Sequence, residues 1–186
     1  MDYRQIAIKR NEIFEEKLKM KNFGRLKLSG TIYEAFSRYL KDSKSYLQFF
    51  CANGYYLKYA EHFGAENIFG IDPSNIAIDI SREQFKNSNC KNMFISSGSE
   101  ILISFDDESI DAIILTDIPK EIIYYDGQYI FDSLYRILKT NGKIFAIKDE
   151  ANAITLESFI EIKKMKIIYN KKLDEINSKE LIIMEK

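Results

Sequence analysis

The chain has no tryptophan, one histidine, two cysteines and two prolines in 186 residues. With His62 alone there is no second histidine for a metal cluster or a histidine-centred triad, so it reads as structural or exposed. Cys51 and Cys90 lack the number and spacing of a disulfide framework or a metal knuckle, and each reads as a small apolar residue beside a strand. Neither sign of charge dominates: 27 basic and 28 acidic residues leave a net charge of −1, which gives no global attraction to nucleic acid or anionic membrane. The basic residues at 4, 9, 10, 17, 19, 21, 25 and 27 are mixed with acids at 2, 12, 15 and 16, and with the overall negative balance they and the run Lys163, Lys164, Lys166, Lys171 and Lys172 read as solvated faces. No apolar run approaches the roughly 20 residues that span a bilayer. Met1-Asp-Tyr-Arg-Gln5 lacks the apolar core of a secretory signal. The expectation is a cytoplasmic protein with reduced thiols and no metal.

What is present is an alternation. Strand-like apolar runs fall at 46–51, 67–71, 92–96, 111–116 and 143–148, and helical stretches lie near 54–63, 74–88, 120–138 and 154–163. That order predicts a doubly wound α/β sheet with parallel strands. Two further runs, 165–169 and 180–184, have no helix between them and predict an antiparallel hairpin on the sheet edge. Ahead of the first strand, residues 2–20 carry Ile6, Ile8, Ile13, Phe14 and Leu18 as a loose apolar stripe, and Ser29-Gly-Thr31 offers a cap for a second helix to about Leu40. The whole, 1–186, reads as one domain, with a helical lid over 1–44 and an α/β core over 45–186.

The first two core strands carry the functional signal. Tyr46-Leu-Gln-Phe-Phe-Cys-Ala-Asn-Gly54 ends an apolar run in a small-residue turn, and Gly70-Ile-Asp-Pro-Ser74 ends the next run in a carboxylate. A βαβ unit spaced in this way holds an adenosine-containing cofactor, with the turn approaching the ligand and the acid accepting from ribose hydroxyls. A pyrophosphate cofactor is sterically disfavoured, because the dinucleotide pattern would put its glycines at Phe50, Ala52 and Tyr55.

Four segments together resemble the class I S-adenosylmethionine-dependent methyltransferase family: Gln48-Phe-Phe50-Cys-Ala52-Asn-Gly54, Ala65 through Ile78, Phe105 through Leu115, and Leu134 through Phe145. The resemblance implies a seven-stranded, mostly parallel, Rossmann-like sheet with a C-terminal antiparallel hairpin and N-terminal helices. S-adenosylmethionine is the implied cofactor. The cofactor-binding positions it implies are Phe50, Ala52, Asn53, Gly54, Asp72, Pro73, Ser99, Glu100 and Thr116. Among these, Asp72 would hold the ribose, Pro73 the adenine face, and Ser99 or Glu100 the adenine amino group.

Several of these residues have plainer readings. Asp72 or Ser74 could cap the next helix, Pro73 could begin it, and Ser99 could cap a short helix of its own. Gln48 stands where the family carries an acid, so hydrogen bonding survives but the charge does not. Asp117 ends the fourth strand near the transferred methyl; a catalytic role there competes with a cap or surface turn. Tyr124, Tyr125 and Tyr129 read as a half-buried helix face, or as the lining of an acceptor pocket. The functional expectation is a methyltransferase acting on a small-molecule acceptor, without nucleic acid or membrane as partner. The alternative is a methyltransferase-like binding or assembly module that no longer catalyses.

Overall fold

A computed structural model describes residues 2–19, 30–116, 118–149, 152–174 and 179–186. The five apolar runs form β1 (Ser45–Phe49), β2 (Asn67–Asp72), β3 (Lys91–Ser96), β4 (Ile110–Leu115) and β5 (Leu138–Lys148), all mutually parallel. β6 (Lys166–Asp174) and β7 (Lys179–Glu185) complete a seven-stranded sheet of order β3-β2-β1-β4-β5-β7-β6. β7 runs antiparallel to both of its neighbours, as the tail pattern predicts.

Both sheet faces are covered, which is why β1 is buried along its whole length and why Ala112–Leu115 of β4 reads as an unbroken apolar run rather than an alternation. α5 (Lys120–Ile137) and α6 (Ala153–Lys163) close one face over Leu47, Ile113, Ile144 and Ile182. On the other face lie α2 (Gly30–Ala35, continuing as a wider turn over Phe36–Leu40), α3 (Tyr55–His62) and α4 (Asn75–Phe85). They pack on Tyr46, Ile68, Ile114 and Phe145. No helix among the described residues is long and apolar enough to cross a membrane.

Three boundaries differ from the sequence reading. β1 stops at Phe49, because Phe50 turns into a left-handed conformation (φ 60°). β5 begins directly at Leu138 and absorbs the expected turn; Asn141, at φ 62°, takes up the slack where the register with β4 breaks. The stripe on α1 (Tyr3–Lys19) is a different one: Ile8, Ile13 and Leu18 are exposed, and the inward face is Tyr3, Ile6, Arg10 and Phe14. These follow a spacing of three to four residues, with an arginine in the series.

β1 sits between β2 and β4, so the chain direction of strand addition reverses there. The crevice beyond the carboxyl ends of such strands is where open α/β sheets bind ligands.

Candidate functional site

The crevice is built from the loop after β1 and the end of β2. Phe50, Ala52 and Gly54 all have positive φ, at 60°, 51° and 75°. These are the three alternate positions at which the resembled motif carries glycine, so the backbone keeps the glycine shape while two of the residues are not glycine. A left-handed non-glycine residue costs roughly 1–2 kcal/mol, and local hydrogen bonds hold the loop in place. Cys51 N donates to Ile71 O (2.9 Å), Gly54 N to Cys51 O (2.8 Å), and Ser81 Oγ to Ala52 O (3.1 Å). Gly54 caps α3, and a Cβ there would also press to 3.1 Å from the Phe85 ring. Asn53 lies half-buried in the same turn.

Asp72 is fully buried at the end of β2. Its Oδ2 accepts from Ala52 N (2.9 Å) and its Oδ1 from Ser74 N (2.9 Å), so the carboxylate ties the two loops together. It does not cap α4. Ser74 does, accepting from Ala77 N at 3.1 Å. Pro73 therefore precedes the cap rather than starting the helix, and it is buried.

The remaining partners of Asp72 come from α1. Arg10 Nε donates to Oδ1 (2.9 Å) and an Arg10 terminal nitrogen to Oδ2 (2.5 Å), a bidentate pair in which the arginine side chain is 13 % exposed and the aspartate wholly buried. The guanidinium also lies 4.9 Å from the centroid of the buried Phe50 ring and 5.6 Å from that of Phe14. Next along the helix, Asn11 Oδ1 accepts from Ser74 Oγ at 2.6 Å. At the start of α1 the Tyr3 ring packs on Gly98, where a Cβ would meet it at 2.7 Å. Arg10 and Asn11 were absent from the sequence candidates, and the basic residues of this segment read as solvated. The available signal was that Arg10 follows Ile6 and precedes Phe14 by four residues each, which places it on the inward face.

At the neighbouring strand ends, Gln48 and Thr116 are both buried, and Gln48 Nε2 donates to Thr116 Oγ1 at 3.0 Å. Gln48 Oε1 has no partner among the described residues, and a buried unmatched acceptor of this kind is worth about 1–3 kcal/mol to any donor that reaches it. Ser99 is buried but begins the 3-10 turn Ser99–Ser104 rather than capping it; Gly98 is the cap residue. Glu100 supports that loop, accepting from Ser97 Oγ (2.8 Å) and Gly98 N (3.0 Å). Partial burial alone would raise its pKa, but these hydrogen bonds hold it below the usual carboxylate value. Asp117 lies outside the described residues. Tyr124, Tyr125 and Tyr129 are exposed rather than half-buried. The first two line a cavity of about 500 Å³ with Lys120, Ile123, Ile154 and Thr155, at the starts of α5 and α6.

Residues 47–146, more than half of the chain, match the profile of the methyltransferase domain family. The chain belongs to the methyltransferase domain family. S-adenosylmethionine is the cofactor that membership implies. Among solved structures, an S-adenosylmethionine-dependent methyltransferase from Aquifex aeolicus superposes with a TM-score of 0.71 at 14% identity, over 92% of this chain and 97% of its own. One from Archaeoglobus fulgidus gives 0.70 at 14% identity, over 94% and 99%. A protein from Pyrococcus horikoshii gives 0.70 at 18%, over 83% and 87%. At such identities the likeness shows a shared fold. No curated protein matches the sequence.

With α1 seated, the ribose position that the family resemblance gives to Asp72 is taken. Asp72 already has a donor from each loop and two from Arg10, so no acceptor position is left for a ribose diol. The loop and the acid themselves are in place; the obstruction is the helix.

Proposed function

We propose that this protein transfers the methyl group of S-adenosylmethionine to a small-molecule acceptor, in a form from which α1 has withdrawn. One observation carries the reading. Three left-handed residues and the Ala52 N–Asp72 bond preserve the cofactor-loop shape although two of its three glycines are replaced, and at Ala52 that strain is matched by no side-chain packing beyond a methyl group. The orphaned Gln48 Oε1 nearby supplies a neutral acceptor for a donor group of the ligand. The apolar cavity walled by Tyr124, Tyr125 and Ile154 is of a size for a small molecule, and the balanced surface charge favours neither nucleic acid nor membrane. The reading places the protein in the cytoplasm. Methyl-tritiated S-adenosylmethionine, incubated with the protein and an extract divided by ultrafiltration, tests it. Label in a small-molecule product that separates from unreacted S-adenosylmethionine by chromatography, and that does not form without the protein, is the expected result; label transferred only to macromolecules removes the acceptor class.

The second reading, a family member that binds or assembles without catalysing, draws on the Arg10–Asp72 pair and the Phe50 ring beneath it. It predicts no label transfer to any fraction and no cofactor binding once Arg10 is removed.

A further inference from the structure

The geometry points to α1 as a built-in competitor for the cofactor, with the Arg10 guanidinium holding the carboxylate that ribose hydroxyls would otherwise engage. The inference rests on the cofactor reading above and adds to it the regulation of that site. α1 meets the body of the protein along one line of contacts. Tyr3 sits on Gly98, next to the position assigned to adenine recognition; Arg10 sits on Asp72, assigned to ribose; Asn11 meets the cap residue Ser74 between them and α4. Tyr3 and Arg10 are two helical turns apart, about 10 Å along the axis, so one rigid element covers both subsites at once.

The pairing explains how the seated form persists without ligand. A buried carboxylate with no counter-charge is strongly unfavourable, and Arg10 supplies the charge together with two aligned donors. It also explains how the form can open. A ribose diol brings two donors to the same oxygens, and release of α1 returns the guanidinium to water. Cofactor and helix are then mutually exclusive on Asp72, and the apparent affinity for cofactor is reduced by the fraction of molecules in which α1 is seated. The rest of the inward face of α1 is Ile6 and Phe14, a modest apolar contact for an element of 17 residues.

The test titrates S-adenosylhomocysteine into the full chain and into Arg10→Ala by calorimetry, and follows amide hydrogen exchange over residues 3–19 in the parent with and without that ligand. The expected results are an affinity about tenfold or more higher for Arg10→Ala, and faster exchange across α1 in the liganded parent while β1–β5 stay protected. Equal or weaker binding by the variant, or α1 amides equally protected with ligand bound, overturns the competition and leaves the cofactor reading standing. Absence of binding in both proteins overturns the cofactor reading, and the competition with it. The exchange measurement on the parent decides the question if Arg10→Ala does not fold.

Discussion

Phe50 and Ala52, two residues apart, share a left-handed backbone with Gly54, so the loop after β1 has the conformation of a triple-glycine turn with only its last glycine present. Strain at the first two positions is offset elsewhere, and Phe50 offsets its own by burying its ring completely. Ala52 has only a methyl group to bury.

Ala52→Gly is therefore expected to be neutral or to stabilise the protein by up to about 1 kcal/mol, the left-handed penalty removed outweighing the extra freedom of the unfolded chain. Urea denaturation of the two proteins checks this. Destabilisation of 1 kcal/mol or more, on that scale, would show that the alanine is not strained.

The strands and their parallel arrangement were legible because apolar runs covered on both faces leave an uninterrupted signature, as in Ala112–Leu115. Asp72 was legible for the same reason, as the first charge after such a run. The shape of the 50–54 loop was not, because a phenylalanine and an alanine argue locally against the left-handed region, and only the partners Ile71, Asp72 and Ser81 impose it. Arg10 was missed on different grounds. A lysine- and arginine-rich helix reads as solvated, and the partner that buries this one arginine is 62 positions away. Tyr124 and Tyr125 are exposed and line a cavity rather than forming a half-buried face; the sequence leaves both readings open because aromatics beside a cavity carry no periodic mark that separates them.

The two thiols differ in accessibility. Cys90 is partly exposed, with Ser88 Oγ 2.8 Å from its sulfur, whereas Cys51 is buried and burial pushes its thiol pKa well above the ordinary value. A chromogenic disulfide reagent should modify one thiol in the folded protein and the second only on unfolding. Cys90→Ser should abolish the fast phase, and persistence of that phase would reverse the assignment.

Asp111 ties the opening of β1 to β4. It accepts from Lys44 N (3.0 Å), Ser45 N (2.8 Å), Ser45 Oγ (2.8 Å) and Lys139 Nζ (2.7 Å). Partial burial opposes its ionisation, but the hydrogen bonds from Lys139, Ser45 and Lys44 prevail and hold its pKa below the ordinary aspartate value. A lowered folded pKa gives stability that is present above the unfolded value, about 3.9, and is lost as pH falls through the folded one. Asp111→Asn should cost about 2 kcal/mol near neutral pH, and the gap between the two proteins should narrow below about pH 4. Denaturation midpoints measured across that range give the comparison; a gap constant with pH would mean that the charge contributes nothing.

The position of β7 between β5 and β6 has a consequence for synthesis. The open edge of β5 finds its neighbour only when residues 179–185 have left the ribosome, after β6 has already been made. Until then the nascent chain exposes the open edge of β5 and the unpaired β6 to aggregation, so a stalled or truncated product ending before Lys179 is a natural client for chaperones.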